Sequence, residues 1–291
     1  MEHGGTAMAD AFAAEVVFDR WLGRVVHRLR ASRVATLNQF WVLLLVDIHH
    51  DVSIRSVADR LEISYTTLAE CIDELCRAGA LSKTTDEDDR RATRLSVTPQ
   101  GRRLTESIDR ELIAVAKQAL SLLSGTSRTQ AMHLLYDACL RLNKKRLAGN
   151  LVRGDSAFFI VCQQVSLEFS RICRQSLVTP QQGHLLLALG RTGPMTGREI
   201  RDALDYDAPM LSKIAAKLSD AGLITKEIGN NRRERLYALT SLGLQCASLI
   251  AEGTEEMLRQ LFGDDYGTET YRQTIAALGR SLRDDLPARQ Q

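Results

Sequence analysis

The stretch DEDDRRATRLSVTPQG, residues 86–101, combines a charged turn, an alternating strand and the start of a helix. Acidic residues lead into Arg90 and Arg91, apolar and polar residues then alternate, and Thr98 precedes a proline at a favourable first helical position. A second stretch, NNRRERLYALTSLG at residues 230–243, repeats this order with another pair of arginines. Both stretches predict a β-hairpin with arginines at its tip, followed directly by a helix.

These two hairpins belong to a longer internal repeat. An offset of 143 residues (198 − 55) places Arg198 on Arg55, and no gap is needed from residue 39 to residue 83. One deletion in the hairpin restores the match beyond it. The 291 residues are therefore predicted to form two units of the same kind, 1–147 and 148–291.

Each unit has the element order of a winged helix-turn-helix. A long amphipathic helix and a largely buried helix come first, followed by two short helices, a hairpin and two further helices. Ser64 and Asp207 stand where a polar side chain caps the second short helix of each unit. The predicted fold class is mainly α with small two-stranded β wings, in tandem winged helix-turn-helix domains.

Six segments of the chain form an ordered set that occurs twice: LNQFWVLLLV, VADRLEISYTTLAECIDELCRAGALSK and DEDDRRATRLSVTPQG, then PQQGHLLLAL, EIRDALDYDAPMLSKIAAKLSDAGLITK and NNRRERLYALTSLG. This ordered set resembles the MarR family of transcription regulators. The resemblance covers nearly the whole chain, because the flanking long helices are also what that family uses for dimerisation. Members usually carry one unit per chain and form two-fold dimers, so the resemblance implies a single-chain pseudo-dimer with a shared helical base. A fused pair can present two different recognition helices to an imperfect palindrome.

The wing residues are candidates for DNA contact, because a guanidinium at a hairpin tip can enter a narrow minor groove. In the family pattern Asp89 of the first wing orients Arg91, whereas Asn231 replaces this aspartate in the second wing. A solvated charged turn is the alternative interpretation. The wing candidates are Asp89, Arg90, Arg91, Arg232, Arg233 and Arg235.

The recognition helices supply the other DNA-contact candidates, and their charges differ. The first carries three carboxylates against one arginine, and its Glu70 could either pair along the helix surface or accept a hydrogen bond from cytosine. The second carries lysines, so we expect it to contribute more attraction to phosphate. The candidates are Ser64, Tyr65, Thr66 and Thr67 in the first helix, and Ser212, Lys213 and Lys217 in the second.

A small-molecule effector is implied only by the resemblance, since many members bind aromatic or phenolic anions between the DNA-binding lobe and the helical base. The alternative is that the two tryptophans, which lie on apolar faces, fill the core. Cys162 and Cys173 lie in the second unit's first helix, and little around them favours redox sensing. The candidate pocket residues are Trp21, Arg24, His27, Trp41 and His184.

The leading functional hypothesis is a sequence-specific DNA-binding transcription regulator, expected to be a ligand-responsive repressor. The alternative is a degenerate winged-helix module that binds proteins or small molecules without binding DNA. The net charge of +2 supports this alternative, because attraction to phosphate must then come from local clusters. The sequence has no catalytic motif in its required context, so we expect no enzyme activity, cofactor or metal. The absence of a signal peptide or membrane span predicts a cytoplasmic protein.

Overall fold

The computed structural model describes residues 2–32, 36–49, 52–61, 64–85, 93–142, 154–228 and 235–284. The first repeat contains the predicted helix-turn-helix and hairpin, between a long helix at its start and two at its end. Its elements are α1 (Glu2–Ser32), α2 (Leu37–His49), β1 (Val52–Ser53), α3 (Ile54–Leu61), α4 (Tyr65–Arg77), β2 (Leu81–Thr85), β3 (Thr93–Val97), α5 (Pro99–Ala119) and α6 (Gly125–Leu142).

The second repeat has the same order of elements, which confirms the mainly helical class with small β wings. Its elements are α7 (Gly154–Gln175), α8 (Pro180–Thr192), β4 (Met195–Thr196), α9 (Gly197–Leu204), α10 (Ala208–Asp220), β5 (Ile224–Ile228), β6 (Arg235–Leu239), α11 (Ser241–Phe262), a single 3₁₀ turn (Gly263–Asp265) and α12 (Glu269–Asp284). No helix in the described ranges is long and apolar enough to cross a bilayer.

The wing sheets have three strands each, whereas the sequence pattern predicts two. A two-residue strand before each helix-turn-helix pairs with the second strand of the hairpin, giving the orders β1-β3-β2 and β4-β6-β5. Val52 faces Leu95 in the first sheet, and Met195 faces Tyr237 in the second. Two residues are too few to show an alternating pattern, so the sequence could not reveal these strands.

The chain forms two compact units that do not follow the order of the repeats. One unit joins Met1–Arg20 to Val161–Leu282, and the other contains Trp21–Ile160. Helices α1 and α7 therefore each contribute to both units. The predicted boundary between residues 147 and 148 separates the two sequence repeats. As a domain boundary it stays a prediction.

Aromatic contacts show how each unit uses a helix of the other repeat. In the unit containing α2, Trp41 of the first repeat stacks on Phe159 of α7, with ring centroids 5.6 Å apart. In the unit containing α8, Phe18 of α1 stacks on Phe262 of α11 at 6.0 Å. All four rings are at least 93% buried, so these exchanged helices complete the two cores.

The junction between wing and following helix is fixed by one threonine in each repeat. The Thr98 hydroxyl donates to the carbonyl oxygen of Gly79 at 2.6 Å, and accepts from the N–H of Gly101 at 3.0 Å. Thr98 thus caps α5 and also holds the turn at the end of α4. Gly79 adopts the left-handed φ of +69° that ends the helix.

The glycine three residues after this threonine is required by close backbone approach. In the second repeat, the Thr240 hydroxyl donates to the Gly222 carbonyl at 2.7 Å, and Gly243 packs directly on the next carbonyl, that of Leu223. A Cβ on Gly243 would overlap that oxygen. The Thr-x-x-Gly pattern of both hairpin stretches therefore has a steric origin.

We expect Gly243→Ala to lower the stability of the protein, because the new methyl group must displace backbone. Overpacking of this kind costs about 1–3 kcal/mol. Gly23→Ala is the matched control, since nothing lies within 4 Å of its Cβ position in α1, and it should be neutral or slightly stabilising. The measurement is the urea midpoint of unfolding; equal midpoints for the two variants would contradict the steric account.

Candidate nucleic-acid interface

The first recognition helix, α4, presents a polar N-terminal turn to solvent. Its buried face consists of Leu68, Cys71, Ile72 and Leu75. Ser64 caps the helix by accepting the Thr67 N–H at 3.1 Å, and Tyr65 is 64% exposed. Ser64, Tyr65, Thr66 and Thr67 are thus together in one turn, with Thr67 half-buried and the other three exposed.

Two of the three carboxylates on α4 are held by neighbouring side chains. Lys83 of β2 lies 2.5 Å from Asp73, and the amide of Gln39 donates to Glu74 at 2.8 Å. The hydrogen bond and charge of Lys83 lower the pKa of the exposed Asp73 carboxyl. Lys83, which sits where a wing lysine could meet phosphate, is therefore engaged within the protein.

The second recognition helix, α10, has the same scaffold with basic side chains. Asp207 caps it by accepting the Met210 N–H at 2.7 Å. Ser212, Lys213 and Lys217 are all exposed, and no carboxylate in the described residues pairs with either lysine. This face is left positively charged, in contrast to that of α4.

A pocket of about 240 Å³ lies beside α10 at the N-terminus of α8. Thr179 and Gln182 form a reciprocal capping box there, with the Thr179 N–H donating to Gln182 at 2.8 Å. The positive end of a helix and two lysines on one pocket favour an anion such as phosphate. The lining residues are Thr179, Gln181, Gln182, Met210, Lys213, Ile214 and Lys217.

The first repeat has a carboxylate at the corresponding place. Glu74 stands 143 residues before Lys217 and accepts from Gln39, the capping residue of α2. Because a protein carboxylate already occupies the N-terminus of α2, this end has less attraction for an external anion.

Most wing-tip candidates lie outside the described residues: Asp89, Arg90, Arg91, Arg232 and Arg233, together with Asn231. Their role in DNA contact stays a prediction. Arg235 is described; it is exposed at the start of β6, where it faces Ile228 across the hairpin. Lys226 on the neighbouring strand lies 5.7 Å from the centre of the Tyr237 ring.

The five ligand candidates are divided between the two compact units. Trp21 is fully buried, and Arg24 lies 5.4 Å from the centre of its ring. Trp41 is 7% exposed and His27 is exposed. These four belong to the unit containing Trp21–Ile160, whereas His184 belongs to the other unit. Their use in ligand binding stays a prediction.

His184 forms a buried pair with Glu15 that the sequence pattern does not predict. Its Nε2 lies 2.6 Å from Oε2 of Glu15, a residue of α1 that has no exposed surface. The second oxygen, Glu15 Oε1, is buried and has no hydrogen-bond partner. Phe169 stacks on the imidazole with centroids 4.8 Å apart. The pair therefore joins α1 to α8 in the buried interior of this unit.

Burial and mutual attraction control the protonation of this pair. Burial raises the pKa of the Glu15 carboxyl above its usual value, although His184 opposes this. For His184, burial lowers the pKa, but the charge and hydrogen bond of Glu15, helped by Asp19, raise it overall. Between the two pKa values the pair holds one proton and no net charge.

The two cysteines considered for redox sensing are buried thiols. Burial raises the pKa of Cys162 far above its ordinary value, and raises that of Cys173 to about 12. A thiol that stays protonated at neutral pH is a poor nucleophile towards oxidants. The environment of these side chains does not favour oxidant sensing.

Comparison with known proteins matches each repeat to a winged-helix model. A winged helix DNA-binding domain model matches residues 36–101, and the MarR family model matches residues 178–234. Each repeat therefore contains a segment similar to a known DNA-binding family, and the segment in the second repeat resembles the MarR family. These matches support a DNA-binding transcription regulator as the general function.

Several solved structures are similar to part of this chain. YusO from Bacillus subtilis is 23% identical, with a TM-score of 0.37, covering 40% of this chain and 82% of its own. MarR is 21% identical, with a TM-score of 0.37 and coverages of 47% and 92%. Reduced AbfR bound to DNA is 19% identical, with a TM-score of 0.35 and coverages of 43% and 85%. A search of curated proteins finds no significant match.

The buried Glu15–His184 pair predicts a pH dependence of the stability of this protein. The pKa of His184 is higher in the folded protein than in the unfolded chain, where it is about 6.5. Its contribution to the free energy of unfolding is therefore fully present below about pH 6.5 and is lost as pH rises through the folded pKa. The contribution of Glu15 to stability also falls as pH rises, because its folded pKa is raised as well. Above pH 6.5, stability should fall by at most about 1.4 kcal/mol per pH unit from this histidine.

The measurement is the free energy of unfolding from pH 6 to pH 9, for the wild type and for Glu15→Gln/His184→Gln. The double variant lacks both titrating groups, so its curve should be flatter over this window. Identical slopes for the two proteins would show that the pair does not couple to folding.

Proposed function

We propose that the two winged-helix units act together as a single-chain pseudo-dimer that grips one DNA operator. The observation that carries this proposal is the reciprocal exchange of helices. Phe159 of α7 completes the unit that holds Trp41, while Phe18 of α1 completes the unit that holds Phe262. Elements exchanged between equivalent partners are typical of dimers, and here both partners lie in one chain.

The two units contribute unequally to DNA affinity. Lys213 and Lys217 are exposed and without a carboxylate partner in the described residues, and both line the pocket at the N-terminus of α8. A backbone phosphate bound there would meet the Lys217 ammonium group and a helix N-terminus. In the first unit, Glu74 occupies the corresponding position and Lys83 is paired with Asp73.

The first unit contributes mainly to recognition. Tyr65 and Thr66 lie exposed in the first turn of α4, where hydroxyl groups can contact phosphate or base edges. The wing arginines of both units would add minor-groove or DNA-backbone contacts. They are Arg90, Arg91, Arg232, Arg233 and Arg235. Together these contacts would make a repressor that covers an operator of two unequal half-sites.

A response to a small aromatic or phenolic effector is the finer part of the proposal. His184 and Glu15 link α1 to the helix that leads into α9 and α10. A phenolic anion that disturbed this contact would alter the support of the second recognition helix. Trp21, Arg24, His27 and Trp41 remain the candidates in the other unit.

The competing function is a winged-helix module that binds a protein or small molecule and no DNA. The acidic face of α4 is the observation that favours it. The two functions differ in salt dependence, because DNA binding releases counterions and weakens steeply as salt rises.

The test is a binding titration of genomic DNA fragments at several salt concentrations. We expect Lys213→Ala/Lys217→Ala to weaken binding and to lower the salt slope by about 1 for each lysine that meets a phosphate. Glu70→Ala should weaken binding less. Lys117→Ala is the matched control, since it removes an exposed lysine from α5, outside the recognition helix.

Three outcomes have distinct meanings. Loss of affinity in the double lysine variant alone supports the proposed DNA contacts. An equal loss in Lys117→Ala would indicate general electrostatics instead. If the wild type bound no genomic duplex even at low salt, the interaction module would be the better account.

A further inference from the structure

The exposed faces of the two recognition helices carry opposite charges at equivalent positions. With the offset of 143 residues, Glu70 corresponds to Lys213, and Glu74 corresponds to Lys217. The arginine at the end of α4 corresponds to an aspartate at the end of α10. Each of these charges is therefore inverted between the repeats.

The scaffolds beneath these charges match closely. Both helices are 13 residues long, and each begins after a side-chain cap, Ser64 in one and Asp207 in the other. Leu68 and Leu75 are buried in α4, as are the equivalent leucines in α10. Glu70 and Lys213 therefore occupy the same place on the same framework, and only the chemistry of the side chain differs.

Among the three carboxylates of α4, Glu70 is the one left without a partner in the described residues. Asp73 is paired with Lys83, and Glu74 accepts from Gln39. Glu70 is exposed and takes part in no described hydrogen bond or ion pair. Its carboxylate oxygens thus remain available to a ligand outside the protein.

The two side chains prefer different bases in the major groove. A lysine donates to the O6 and N7 acceptors of guanine, whereas a carboxylate accepts from the exocyclic amine of cytosine. A carboxylate facing guanine acceptors is repelled, and a lysine facing the cytosine amine has no acceptor. Each position therefore both selects one base and rejects the other.

We propose that Glu70 and Lys213 are paired specificity-determining residues, reading cytosine in one half-site and guanine at the equivalent position of the other. In a perfect palindrome the two equivalent positions present the same base on opposite strands. Here they would present cytosine and guanine, so both guanines fall on one strand. The operator would be non-palindromic at this base pair. The inference rests on the proposed binding of one duplex by both units.

The experiment is selection from a randomised duplex pool by the full-length chain, followed by sequencing. The wild type should select cytosine and guanine at the two positions, with about a tenfold preference at each. Glu70→Lys should select guanine in both half-sites and so restore the palindrome. Glu70→Gln should lose the cytosine preference, and Lys213→Glu should replace guanine by cytosine.

Glu106→Lys is the matched control, because it makes the same charge change at an exposed site on α5. Its selected sequences should equal those of the wild type. If duplexes are bound but Glu70→Lys selects the same bases as the wild type, the specificity inference is overturned while the proposed function stands. If the wild type itself selects no sequence, the proposed function fails.

Discussion

One hydroxyl group in each repeat fixes the geometry on which the rest of the winged helix depends. Thr98 holds the turn after the recognition helix and caps the helix after the wing, and Thr240 does the same in the second repeat. Gly101 and Gly243 let the backbones meet at this junction. Recognition helix, wing and the following helix therefore have one common point of attachment, and small changes there would redirect all three.

On this common framework the two repeats differ mainly in electrostatics. The first recognition helix binds Lys83 and Gln39 through its own carboxylates, whereas the second leaves Lys213 and Lys217 exposed. A similar contrast occurs inside the units. Trp41, stacked on Phe159, corresponds by the 143-residue offset to His184, paired with Glu15. At this position one unit has stacked aromatic rings, and the other has a buried titratable pair.

Local features were predictable from sequence, and long-range ones were not. The caps at Ser64 and Asp207 and both hairpins follow from short patterns, since these depend on neighbours along the chain. The third strand of each sheet and the exchange of α1 and α7 depend on distant partners. The Glu15–His184 pair had one overlooked signal, an acidic residue between Ala14 and Phe18 on an apolar helix face. The DNA-contacting roles of the wing arginines stay predictions.

The joining of both repeats in one polypeptide has an evolutionary consequence. In a regulator assembled from identical chains, every mutation appears twice, so a helix cannot adapt to one half of its target without changing the other. In this chain a single codon change alters one repeat alone, as the inverted charges at Glu70 and Lys213 illustrate. Synthesis as one product also fixes the ratio of the two repeats at one to one, whatever the level of expression.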